Sequence, residues 1–174
     1  MKIESVEAPK TSIQVIERMT RLLDALAEQG FRRMLIEGGS HTVLLPSGLA
    51  AVTLVDLALL RAGDEVLIPD NAYGPGKDLA RTELARWGIR HRFYDPMDVA
   101  SLAAALSPAT KLVWLEAAGS VTMEFPDLVA LVQLCKARGV LCALDNTWGA
   151  GLAFNAFDLT SCFNPAHGCG LGRL

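Results

Sequence analysis

Short apolar runs alternate with stretches of helical spacing along most of this chain, and that alternation narrows the fold more than any other feature. Residues 41–45, 65–68, 91–94, 111–115 and 140–144 read as strands, because each is a brief apolar or alternating run bounded by turn residues. Residues 47–60, 74–87, 98–106 and 126–138 read as helices, with Gly88 and Gly139 just past two of their ends. A further helical pattern spans 11–29, carried by Ile13, Val15, Ile16, Met19, Leu22, Leu23 and Leu26 and stopped at Gly30. Strand followed by helix, repeated, predicts an α/β fold: a mostly parallel sheet with helices on both faces and right-handed crossovers.

At 174 residues and 51% hydrophobic content, the chain can build one domain with a sizeable core, and the composition argues against disorder. The formal charge of −3 and the lack of a basic patch argue against a nucleic-acid partner. No apolar run reaches the roughly eighteen residues of a membrane span; the longest, 49–60, is interrupted by Asp56. Met1-Lys2-Ile3-Glu4-Ser5 carries no apolar signal segment, so a cytoplasmic location is expected. Cys135 and Cys142 fall in apolar patterns and read as buried thiols. Cys162 and Cys169 flank His167 with a spacing that fits no common zinc pattern, so no metal site is expected. His41 and His91 read as ordinary strand residues, and Arg81, Arg86, Arg90 and Arg92 as a solvated helix face and strand start.

In an open parallel sheet, ligands bind beyond the carboxyl ends of the strands. Three places qualify. Pro46-Ser47-Gly48-Leu49 joins a strand to a helix, and a helix start offers free N–H groups and a positive dipole end that suit a phosphate. The plainer alternative is an N-cap serine in a tight turn. Asn71-Ala72-Tyr73-Gly74-Pro75-Gly76 presents an aromatic ring in a glycine-rich loop, suited to a planar ligand or to packing on the domain edge. Asp145 closes the apolar run Val140-Leu141-Cys142-Ala143-Leu144. A carboxylate there needs a partner. That partner is either a cationic ring nitrogen or, through Asn146-Thr147, the turn itself.

Taken together and in order, several segments resemble the cysteine and methionine metabolism family of pyridoxal 5′-phosphate (PLP) enzymes, most of all its bacterial cystathionine β-lyases. The matching text is Leu45-Pro46-Ser47-Gly48-Leu49-Ala50-Ala51, Gly63-Asp64-Glu65-Val66-Leu67, Tyr73-Gly74, Leu115-Glu116, Gly119-Ser120-Val121-Thr122-Met123-Glu124 and Asp145-Asn146-Thr147-Trp148-Gly149-Ala150-Gly151. The resemblance implies an incomplete large domain of the aspartate-aminotransferase type (PLP fold type I) over residues 37–159. It sets off an atypical helical segment, 1–36, and a tail unlike the family, 160–174. It implies that the N–H groups of Gly48 and Leu49 hold the cofactor phosphate, that Tyr73 stacks on the ring and that Asp145 pairs with the pyridine nitrogen. Thr147 and Ser120 stand where the family has further cofactor contacts. The implied reaction of full-length relatives is β-elimination of cystathionine to homocysteine, pyruvate and ammonia, in homodimers or homotetramers.

Three departures accompany the likeness. Family members carry a Schiff-base lysine in a Ser-x-Thr-Lys-like stretch after the Asp145 strand. Here the lysines are Lys2, Lys10, Lys77, Lys111 and Lys136, and all precede Asp145. The expectation is therefore a truncated, catalytically silent fragment. The Tyr-x-Arg arm of relatives has no counterpart, since Tyr73 and Tyr94 precede Gly-Pro and Asp-Pro. Ala117-Ala118 stands where Ser-Pro or Thr-Pro is common. The alternatives are a cystathionine γ-lyase, γ-synthase or methionine γ-lyase relative, or, in another class, a non-catalytic phosphate- or nucleotide-binding module or an inert gene remnant. The module reading lacks a Gly-x-Gly-x-x-Gly and a P-loop lysine.

Overall fold

A computed structural model describes residue 45, residues 47–149 and the backbone of residues 168–171. Within them the apolar runs become parallel strands: β1 (Glu65–Pro69), β2 (Arg90–Tyr94), β3 (Thr110–Glu116), β4 (Leu141–Asp145) and β5 (Gly168–Leu171). Helix α1 (Gly48–Leu59) precedes β1, and α2 (Gly74–Leu79), α3 (Val99–Ala105) and α4 (Leu128–Ala137) make the next three crossovers. The predicted helix at 11–29, residues 41–44 of the predicted strand at 41–45, and Cys162 and His167 lie outside the described residues.

The strand order is β2-β1-β3-β4-β5. The chain lays β2 on one side of β1 and then returns to lay β3 on the other. The order of progression therefore reverses between β1 and β3, and a crevice opens there beyond the carboxyl ends of the strands.

Period-2 alternation along the strands feeds two cores. Leu112 and Trp114 of β3 pack with Val66 and Ile68 of β1 against Val52 and Val55 of α1 and Leu84 after α2. Val113 and Leu115 pack on the opposite face with Leu67, Leu144, Leu102 of α3 and Leu131 and Cys135 of α4. Strand β1 is buried along its whole length, as a strand covered on both faces must be. Cys135 and Cys142 are free, buried thiols within the second core.

Side-chain caps fix where helices begin. Ser47 Oγ accepts the Ala50 N–H at 3.1 Å and opens α1. Asp98 accepts the Ala100 N–H and opens α3. Asp127 accepts the Ala130 N–H at 3.0 Å, so α4 begins after Pro126 rather than at it. The predicted helix at 74–87 is not uniform: α2 widens into a π turn over Ala80–Leu84.

Two differences from the sequence reading stand out. The 160–174 tail contributes β5, which pairs with β4 from Cys142↔Gly168 to Asp145↔Leu171. Gly168-Cys169-Gly170-Leu171 has little strand propensity, so backbone pairing with β4 defines it. Arg92 is exposed in β2, as read, but it does more than face solvent. Its guanidinium grips both carboxylate oxygens of buried Glu65, at 2.9 and 3.0 Å, at the amino-terminal rim of the sheet. Among the described residues no helix is long and apolar enough to cross a membrane.

Candidate functional site

A shallow pocket, open to solvent, lies at the carboxyl rim beside the β1/β3 reversal. Val52 and Asp56 of α1, Pro69 at the end of β1, Tyr73, Glu116 at the end of β3 and Asp145 at the end of β4 line it. The structure thus brings Tyr73 and Asp145, which are 72 positions apart in sequence, to one concavity.

Asp145 is half-buried. Its Oδ1 accepts the Thr147 N–H at 2.9 Å and the Thr147 hydroxyl. The turn therefore uses one carboxylate oxygen. Oδ2 takes no hydrogen bond from the described residues and remains available to a cationic partner. Thr147 reaches the pocket only through Asp145.

Tyr73 sits just before α2, and its carbonyl accepts the Gly76 and Lys77 N–H groups at 3.0 and 3.2 Å. Gly76 lies between the Tyr73 ring and α1: a Cβ placed on it would meet both the ring and Val52 at 3.9 Å, an ordinary contact distance. The Tyr73 N–H donates to Glu116 Oε2 at 2.9 Å. Ser120 donates its hydroxyl to the other oxygen, Oε1.

Gly48 and Leu49 are the first residues of α1. Gly48, Val52 and Asp56 recur every fourth residue and share one helix face, and Val52 and Asp56 of that face line the pocket. The Ala50 N–H is taken by Ser47 Oγ and the Ala51 N–H by the Ser47 carbonyl. The N–H groups of Gly48 and Leu49 have no partner among the described residues, as the first donors of a helix do not.

Sequence reasoning missed two carboxylates. Glu116 is 5% exposed and stands in register beside Asp145. Burial raises its pKa, and the neighbouring Asp145 charge adds to this, while hydrogen bonds from Ser120 and Tyr73 oppose it. Asp56 is 1% exposed and accepts the Trp114 indole N–H at 2.9 Å. Burial pushes its carboxyl up to about 6, against the lowering effect of that bond. The available signals were faint: Glu116 ends a strand beside the reversal, and Asp56 breaks an apolar helix.

Among the described lysines, Lys111 is the second residue of β3 and Lys136 the last but one of α4, both towards the opposite rim. Lys77 lies nearer the pocket and donates to the Asp70 carbonyl at 2.7 Å, and it does not line the cavity. No group of three or more His, Cys, Asp or Glu among the described residues is arranged to hold a metal.

The donor set suits one kind of ligand. An anionic group fits the free amides of a helix start, a flat ring fits the space at Tyr73, and a cationic ring nitrogen fits a carboxylate with one unused oxygen. A sequence model of the family described as "Cys/Met metabolism PLP-dependent enzyme" matches residues 18–161. The chain is similar to a cystathionine beta-lyase of Bordetella avium, 40% identical over 142 residues that make up 82% of this chain and 35% of that one. It is also similar to the cystathionine beta-lyase MetC of Escherichia coli, 39% identical over 71% of this chain and 32% of the relative. Its fold is similar to the O-acetylhomoserine sulfhydrylase of Wolinella succinogenes, with a TM-score of 0.56 and 36% identity over 58% of this chain and 29% of that one. The chain spans about a third of the length of these curated relatives.

Proposed function

The chain belongs to the Cys/Met metabolism family of PLP-dependent enzymes, and from that premise we propose that it is the cofactor-holding part of a cystathionine β-lyase-like carbon–sulfur lyase. The observation that carries this reading is the convergence of Tyr73 and Asp145 on one pocket whose helical wall begins at Gly48. The Gly48 and Leu49 amides hold the PLP phosphate, helped by the dipole of α1. Tyr73 lies against the ring, and Asp145 Oδ2 accepts the protonated pyridine nitrogen. Thr147 holds Asp145 in its rotamer through Oδ1, and Ser120 approaches from the side of Glu116. When bound, PLP supplies an electron sink for the α-carbon of an amino-acid substrate.

The family's substrate class is amino acids, and cystathionine is the one the resemblance favours. No described lysine lines the pocket, so the contacts that the described residues offer the cofactor are non-covalent. A cytoplasmic setting and a homodimeric or homotetrameric parent enzyme complete the reading.

Titration with PLP, followed by the absorbance and induced circular dichroism of the bound ring, tests it. Wild type is expected to give a saturable signal, and Asp145→Ala to weaken binding by about tenfold or more, the scale of losing a charge-assisted hydrogen bond. Equal binding by wild type and Asp145→Ala, or none by wild type, overturns the assignment.

A further inference from the structure

Glu116 is a buried carboxylate that the family contacts proposed above leave without a role. It sits at the reversal point of the sheet, at the end of β3, and each of its oxygens is engaged by a different loop. Oε2 takes the main-chain N–H of Tyr73, 43 residues away, in the loop after β1. Oε1 takes the hydroxyl of Ser120, in the loop after β3. Tyr73 has no side-chain cap of its own at the head of α2. Its main chain is tied on one side by Gly76 and Lys77 donating to its carbonyl and on the other by Glu116.

Resting on the PLP reading, we infer that Glu116 is a positioning residue, which sets the Tyr73 ring and the Ser120 hydroxyl at the pocket through one bidentate carboxylate and does not itself touch the ligand. The buried carboxylate is satisfied only while both loops are docked. A loop that swings out leaves a buried acceptor without its donor, which biases both loops to the docked arrangement before any ligand arrives. The role is one of reach and geometry rather than charge. A glutamine in the same place can accept the Tyr73 N–H through its carbonyl oxygen and donate to Ser120, whose hydroxyl turns to receive it. An aspartate keeps the charge and is one methylene too short to span both loops.

The experiment compares Glu116→Gln, Glu116→Asp and Glu116→Ala with wild type in the full chain. Without ligand, hydrogen exchange at the Tyr73 amide is expected to stay slow in the glutamine variant and to speed up in the other two. With PLP, the glutamine variant is expected to bind within about threefold of wild type, and the aspartate variant to lose about tenfold, the scale of an unsatisfied buried donor. In a Tyr73→Ala background the loss from Glu116→Asp should shrink to the part carried by Ser120, because the effect transmitted through the Tyr73 ring is then already gone. A glutamine variant that binds as poorly as alanine, with aspartate like wild type, shows a charge role and overturns the inference. So does unchanged exchange at Tyr73 in the aspartate variant, an outcome readable even if alanine fails to fold. Absence of PLP binding in wild type overturns the PLP reading and is separable, because the exchange measurement needs no ligand.

Discussion

Asp56→Asn should stabilise the protein at neutral pH and do little in acid. Asp56 is 1% exposed, and its one described side-chain partner is neutral, the indole N–H of Trp114 at 2.9 Å. Burial raises its carboxyl from 3.8 to about 6, and the Trp114 bond only partly offsets this. The folded chain therefore keeps a proton between pH 3.8 and about 6 that the unfolded chain has released. Over that window stability falls as pH rises, and above it the full cost of the buried charge is present. At 1.36 kcal/mol per tenfold change, the rise from 3.8 to about 6 is worth about 3 kcal/mol. Asparagine keeps an oxygen for Trp114 and never ionises. The gap between variant and wild type should open from near zero below about pH 3.8 to about 3 kcal/mol above pH 6, or roughly 6–12 °C in Tm for a chain of this size. Urea unfolding followed by tryptophan fluorescence from pH 3.5 to about 8 measures it. A gap that does not change with pH, or a variant less stable than wild type at pH 7, would falsify the account.

At the other rim, Glu65 behaves in the opposite sense. Burial alone would raise its carboxyl, but hydrogen bonds from Arg92, Thr110 and Ser107 outweigh this and lower it from 4.5 to about 2. Its contribution is present above pH 4.5 and lost as pH falls towards 2, so Glu65→Gln should flatten that acid limb in denaturant titrations. At neutral pH the same change should cost about 1–2 kcal/mol, kept modest because the Arg92 side chain is 46% exposed. Gly119→Ala should destabilise by about 1–3 kcal/mol, since a Cβ there would overlap the buried Asn71 amide. The loss should shrink in an Asn71→Ala background, measured as the shift in urea midpoint.

How much of this was legible depended on the range of the interaction. Strands β1, β3 and β4 were readable because burial on both faces demands continuous apolar runs such as Val66-Leu67-Ile68 and Leu112-Val113-Trp114-Leu115. The position of Asp145 and Tyr73 at the carboxyl rim was readable because both follow such runs. Strand β5 was not, because its glycines show nothing in a side-chain pattern and the pairing with β4 alone defines it. Glu116 and Asp56 were missed for a related reason. Their partners lie 43 and 58 residues away, and no local spacing announces a carboxylate whose donor arrives from another strand. The π turn at Ala80–Leu84 likewise leaves no mark in an apolar periodicity that suits an ordinary helix.

The polarity of the pocket follows from topology more than from any one residue. Parallel strands pointing the same way bring their last residues to one rim, and here Glu116 and Asp145 sit side by side on it. Helix α1 ends at Leu59, shortly before β1 begins at Glu65 on the amino-terminal rim, so its amino end lies towards the carboxyl rim, with the Gly48 and Leu49 amides unpaired among the described residues. The amino end of α1, with its peptide dipoles, therefore lies at one end of the concavity and outside its lining, while Asp56, Glu116 and Asp145 stand in the wall. A ligand that is anionic at one end and cationic at a ring nitrogen gains at both ends, while one with a single sign of charge gains at one and is repelled at the other. On the function proposed above, that asymmetry favours PLP over an ordinary nucleotide, whose base is neutral at physiological pH and offers the carboxylates no cation. Adenosine monophosphate, matched to PLP in its phosphate, should accordingly compete poorly for the same pocket.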